Sequence, residues 1–313
     1  MMGVANRLAH WTRRMVGADA RSEPAAGGPP PAPETGTPAL APFERYMVRA
    51  RAVGLRAPTL FLSFDADTPL DPPAALEVMA FLGGLGIKAT LAVPGTELEN
   101  AAATYRQLAD GGVEFMNHGY LPHAEWREDQ YVGITFYENM ALEDVEADIR
   151  RGDEVVTRIT GRRPHGFRAP HFGHFREPAQ LAFKHRVASE LGYAYCSTTL
   201  PEYGLEHGPV TEVAPGLVEL PTFGSAASPT SVLDSWTYLS NRKQYALSDT
   251  YGDLVIETVD ALIARELPAL LAWYADPCHV AGQAPFERAM RHLADKWIAS
   301  LAGIEAARLG RGL

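Results

Sequence analysis

Positive charge, cysteine and long apolar runs are what this 313-residue chain has little of. The formal net charge is −10. A phosphate backbone would find no electrostatic support there, so no nucleic-acid partner is expected. There are two cysteines, Cys196 and Cys278, and neither stands in a CxxC or comparable spacing. That leaves no disulfide framework and no zinc-cysteine spacing. Both lie in or beside apolar runs and read as buried free thiols. No apolar stretch reaches the roughly 20 residues that a bilayer-crossing helix needs. Arg13 and Arg14 interrupt what would be the apolar core of a secretory signal. The expectation is a soluble, cytoplasmic protein. No internal repeat is found.

What is present suffices for a large core, since 46% of the residues are apolar. The charge is uneven. Residues 1–56 hold eight Lys and Arg against four Asp and Glu, a net of +4, so the remainder carries −14. In residues 1–17, Val4, Leu8, Trp11 and Met15 fall on one helical face, with Arg7, Arg13 and Arg14 beside or opposite it. Such a helix suits peripheral contact with an anionic membrane or a partner; a frayed tail is the alternative. Residues 18–42, with GGPPPAPETGTP, read as a linker. The folded domain is expected over 43–313.

From Thr59 onward, apolar runs alternate with helical patterns. TLFLSFD, IKATLAV, VEFMNH, GFR, YAYCSTT, LVELPT and PALLAWYAD read as seven strands. Helices are expected near 72–85, 97–110, 141–160, 178–191, 253–265 and 286–301. The stripe of the 141–160 helix is Leu142, Val145, Ile149, Val156 and Ile159; that of the last is Phe286, Met290, Leu293, Trp297 and Leu301. Residues 117–139 and 223–251 read as irregular. The alternation predicts an α/β protein with a parallel sheet.

Four polar clusters follow strand ends, where parallel α/β folds place their sites. They are Asp65 with Asp67; Asn117, His118 and His123; Arg168 to His171; and Asp276 to His279. Taken alone, Asp65 and Asp67 would more often cap a helix or turn the chain, and each histidine would be an ordinary loop residue. Together they form a chemical set. One carboxylate and two imidazoles are a facial ligand set for a divalent metal with open positions. A second carboxylate can take a proton from water, an arginine can keep it ionised, and a further histidine can protonate a leaving amine.

With these motifs in this order, residues 59–281 resemble the polysaccharide deacetylases, or carbohydrate esterase family four. The Asp-x-Asp form is that of the branch with some peptidoglycan deacetylases and allantoinase-like amidases. SFDADT resembles the first motif, which implies Asp65 as general base and Asp67 as metal ligand. NHGYLPH resembles the second and implies His118 and His123 as ligands. GFRAPHFG resembles the third: Arg168 would orient the base, with Pro170 and His171 on the substrate wall. DPCHV stands where the last motif supplies the general acid, here His279 or Asp276. The resemblance implies a distorted (β/α) barrel of seven or eight units with parallel strands and a metal site at their C-terminal ends. It also implies zinc, or alternatively cobalt, nickel or manganese, and an N-acylated sugar or small amide as substrate.

Two departures stand out. The family spaces its two histidines four apart, and here they are five apart around Pro122. On a regular helix the extra residue would turn the second ring by about 100°. The loop must bulge, or Asn117, Glu125 or His171 must supply a ligand. The family's final His-Pro is replaced by Asp276-Pro277. Trp236 and the tyrosines of 223–251 are candidates for stacking on sugar faces or for packing the loop onto the barrel. The expected function is metal-dependent N-deacylation of a carbohydrate or related amide. The alternatives are a non-catalytic barrel that binds a glycan or partner, and a structural subunit of a polysaccharide assembly.

Overall fold

The structure, a computed structural model, describes residues 43–311. The segments expected as an amphipathic helix (1–17) and a linker (18–42) lie outside the described residues. The strands are β1 (Pro58–Asp65), β2 (Ala89–Val93), β3 (Glu114–Asn117), β4 (Ala124–Arg127), β5 (Gln130–Gly133), β6 (Gly166–Arg168), β7 (Tyr195–Ser197), β8 (Thr211–Ala214), β9 (Leu217–Glu219), β10 (Leu239–Asn241), β11 (Ala246–Leu247), β12 (Ala269–Ala275) and β13 (Ala299–Ser300).

Seven strands lie side by side in the order β12-β1-β2-β3-β6-β7-β9, every pair parallel. They are the seven runs read from the sequence. β8 adds antiparallel to β9. The sheet curls until Phe223, just past β9, donates its N–H to the carbonyl of Ala272 in β12 at 2.8 Å. With the Trp273 indole N–H on the Gly224 carbonyl at 2.9 Å, this contact closes the circle in place of a strand ladder, which makes this a distorted (β/α) barrel.

β1 shows why the runs are apolar throughout. Leu60, Leu62 and Phe64 point outward under the helices, and Phe64 meets Phe286 of helix Ala284–Asp295. Phe61, Ser63 and Asp65 point into the barrel. Phe61 packs edge-on against Tyr195 of β7 at 6.3 Å. Both faces are buried, as a parallel strand under helices requires. The inward row therefore runs from an apolar floor, through Ser63, to a carboxylate at the mouth.

Elements at the edges differ from expectation. The 97–110 helix is two, Gly95–Asn100 and Ala102–Asp110, broken at Ala101. The 141–160 helix is present as Leu142–Thr160, ended by Gly161 at a φ of 72°, but Leu142 is exposed. The last long helix stops at Asp295, and Trp297, expected on its buried stripe, is 91% exposed. The chain turns there because β2 meets β1 only from Leu62 onward. β13 pairs with Thr59 and Leu60 and supplies backbone partners that they would otherwise lack. The two irregular stretches each contain a hairpin, β4–β5 and β10–β11. Cys196 is buried as expected, whereas Cys278 is half-buried. Among the described residues no helix is long and apolar enough to cross a membrane.

Candidate active site

The site forms where β1, β3, β6 and β12 end. Asp65 is the last residue of β1, and Asp67 follows in the loop to helix Asp71–Gly84. That loop is pinned by buried Asp71. Its carboxylate accepts from the Thr68 N–H and hydroxyl at 2.8 Å and from the Cys278 N–H at 3.0 Å. It thereby ties the end of β1 to the segment after β12.

His118 and His123 converge despite their spacing. His118 Nε2 lies 3.5 Å from Asp67 Oδ1, and His123 Nδ1 lies 3.3 Å from the same oxygen. The two rings are 4.3 Å apart and nearly perpendicular. The loop between them is no helix. It wraps the carboxylate of Asp148, which accepts the N–H groups of Tyr120 (3.1 Å) and Leu121 (2.8 Å) and the Tyr137 hydroxyl (2.6 Å). Gly119 has a φ of 77°, and a Cβ there would collide with Asp148 and Tyr137. The Thr135 hydroxyl holds the carbonyl of Pro122 at 2.7 Å. Asp148 was missed from the sequence, yet it left a signal. It lies among Val145, Ile149 and Gly152 on the buried side of its helix, where an unpartnered acid would be costly.

The substitutes considered for His123 are engaged elsewhere. Asn117 donates to the carbonyl of Ile149 (2.8 Å) and the Tyr193 hydroxyl (3.0 Å), and it accepts from the Gly119 N–H. Glu125 is exposed and pairs with Arg127. His171 donates its Nε2–H to the Ile134 carbonyl (2.6 Å), with its ring stacked on Phe136.

Arg168 crosses the barrel interior from β6 to β1. Its Nη1 lies 3.4 Å from Asp65 Oδ1, and its Nη2 bonds the Ser63 hydroxyl. Phe172 and Tyr274 stack against the guanidinium. After β12, His279 Nδ1 sits 2.8 Å from Asp276 Oδ2, and the Ser235 hydroxyl lies 3.1 Å from both groups. Asp276 and His279 are thus partners, where the sequence left them as alternatives. Trp236 and Tyr245 stand against the His279 ring at 5.7 and 4.6 Å, while Tyr238 and Tyr251 pack together in the core. The aromatic loop is thus packed in part onto the barrel and in part onto the His279 ring. Pro170 is buried, one residue before His171, whose φ is 49°.

The electrostatics suit a cation. Burial pushes His118 well below the usual imidazole range and His123 down to about 4, so both rings are neutral and have lone pairs to give. Burial, with Asp276 and Asp71 nearby, pushes Asp67 upward; burial, countered in part by Arg168, does the same to Asp65. Burial alone would lower His279, but Asp276, with Asp71 and Asp234 behind it, outweighs burial and holds the imidazole above its ordinary value. Asp67 Oδ1 and both nitrogens of His123 are buried without a hydrogen-bond partner. His118 Nδ1 is fixed on the carbonyl of Arg168 at 2.9 Å, which leaves Nε2 toward Asp67. Three donors of the types that bind zinc, with unmet valences and excess negative charge around them, fit a divalent ion.

Solved structures share this fold. A Mycobacterium smegmatis protein, named only provisionally as a polysaccharide deacetylase, matches with a TM-score of 0.60 at 17% identity, covering 81% of this chain and 90% of its own. The allantoinase Puue matches with a TM-score of 0.57 at 12% identity, covering 87% and 95%. No curated protein sequence matches. Residues 53–195, which span the first three motifs, match the family model for polysaccharide deacetylase. The resemblance read from the motifs holds over these residues.

Proposed function

We propose that the protein is a metal-dependent hydrolase that removes an N-acyl group, acetyl in the first place, from a carbohydrate or related amide. The observation that carries this reading is the convergence of Asp67 Oδ1, His118 Nε2 and His123 Nδ1 with unmet valences. These three residues would hold a divalent ion, zinc foremost. Such an ion polarises an amide carbonyl and lowers the pKa of bound water to about 7.

The remaining residues divide the proton work. Asp65 is the general base and takes the proton of the attacking water. Arg168 stabilises its ionised form and fixes its orientation from across the barrel. His279 is the general acid. Asp276 accepts from its Nδ1–H and favours the imidazolium, so Nε2–H can be given to the departing nitrogen. Trp236, Pro170 and His171 belong to the substrate wall. The five-residue histidine spacing, which had favoured a non-catalytic barrel, does not keep the rings apart.

The test is elemental analysis of protein purified without chelator, joined to an assay for acetate and formate released from a panel of N-acyl sugars and small amides. Stoichiometric metal and metal-dependent release are expected. Unchanged release by metal-stripped protein would sink the mechanism.

A further inference from the structure

We propose that the site is a closed pocket that takes one acylated unit at a time, as a chain end, a monosaccharide or a small amide, and excludes internal units of a long polymer. The proposal rests on the hydrolase reading above and concerns what the mouth of the site admits.

Two hairpins form an arch over the mouth. β4–β5 leaves directly from His123, whose carbonyl accepts the Ile134 N–H at 2.7 Å where the hairpin returns. Its tip residues, Glu128 and Asp129, have φ values of 49° and 65°, the twist that tight hairpins favour. β10–β11 comes from the other flank, between Trp236 and helix Asp249–Ala264. Asn241 turns its tip by accepting the N–H groups of Lys243 and Gln244. The tips meet. Lys243 Nζ lies 3.7 Å from Asp129 Oδ2, and the Tyr131 backbone faces the Tyr245 hydroxyl. The ion pair is exposed and contributes little by itself.

The arch runs over particular strand ends. The Tyr245 ring lies on His279. On the other flank, His171 fastens the end of β4–β5 to the loop after β6, through Ile134 and Phe136. Phe172 of that loop reaches Tyr274 at 5.0 Å. An extended glycan lying across a metal site needs two open flanks. Here β4–β5 is tied to β10–β11 on one flank and to the loop after β6 on the other, and His118, Asp65 and His279 retain only 1%, 6% and 4% exposure.

The experiment uses the zinc-loaded full chain with three probes: N-acetylglucosamine, its β-1,4-linked hexamer, and the long polymer. Fragmentation mass spectrometry locates the deacetylated units. Release is expected from the monosaccharide or a terminal unit of the hexamer, with internal units slower by about ten-fold or more. Replacing residues 126–131 by two glycines should open the flank and raise internal release. Should that variant not fold, Tyr245→Ala, which severs the contact to Tyr131, is expected to do the same. Internal release as fast as terminal release in the intact protein overturns the closed pocket and leaves the hydrolase reading standing. No release from these probes or from the panel of small amides overturns the hydrolase reading, and the pocket proposal with it.

Discussion

Asp67, His118 and His123 at the barrel mouth, and His185, Cys196 and Glu219 between helix Pro178–Glu190 and strands β7 and β9, each bring three potential metal donors within 4.8 Å of one another. The donor types of the second group would suit zinc at least as well. The difference lies in what already occupies the carboxylate and imidazole of each group. Glu219 accepts the Thr198 N–H (2.6 Å), the Thr198 hydroxyl (3.0 Å), the Thr199 hydroxyl (2.9 Å) and His185 Nε2 (3.1 Å). Buried Lys184 adds a positive charge nearby. At the mouth, Asp67 Oδ1 and both nitrogens of His123 have no partner, and several carboxylates share one arginine. A donor triad thus becomes a candidate metal site when its valences and charge are left unmet. When they are met, the same residue types join a helix to a sheet.

Asp67→Ala should divide the two groups most sharply. Elemental analysis should show bound divalent metal falling from stoichiometric to none, with acetate release lost alongside. Full metal in this variant would move the ion to another set of donors. Asp65→Asn comes next: it should keep the metal, since the remaining donors are untouched, while turnover falls about 10²- to 10⁴-fold. If metal and turnover fall together, Asp65 is a ligand and not a base.

At the second cluster the expected losses are of stability. Glu219→Ala removes the acceptor of four hydrogen bonds and the counter-charge near Lys184, and it should cost about 3–5 kcal/mol in urea unfolding with metal content unchanged. A drop in metal would mean that this group also holds an ion. The smallest effect concerns pH. Burial, only partly offset by Glu219, depresses Lys184 from 10.5 to about 8. The unfolded chain therefore binds the proton more tightly. Between about pH 8 and 10.5 it holds more protons than the native state, and stability should rise with pH across that window. Below it, the penalty for a buried charged amine is fully present. Lys184→Met should flatten the rise and remove the penalty; an unchanged slope would show that another group sets it.

Much of this was legible in the residues. The seven parallel strands were readable because a strand buried on both faces needs an unbroken apolar run, as in TLFLSFD, and such runs are local. Asp65, Asp67, His118, His123 and Arg168 were readable because each follows or ends such a run. Trp297 and Leu301 misled because their spacing matched a helical face, while the backbone of β1 needed a strand there. Asp148 and Ser235 escaped notice because a single acid or hydroxyl has no spacing rule of its own. Their roles appear only when Tyr120, Leu121 and Tyr137, or Asp276 and His279, are brought to them.

The sequence by itself determined the barrel's strands, the identity of the chemical groups and the strand ends from which they project, because apolar periodicity and residue type act over a few neighbours. The tertiary structure decided the rest. It brought His123 to Asp67 around Asp148, joined His279 to Asp276 through Ser235, and drew two hairpins together over the mouth. It also filled the valences of Glu219 while leaving those of Asp67 open. Each of these outcomes depends on partners far away in the chain, and whether a buried polar group is satisfied is fixed only when those partners arrive.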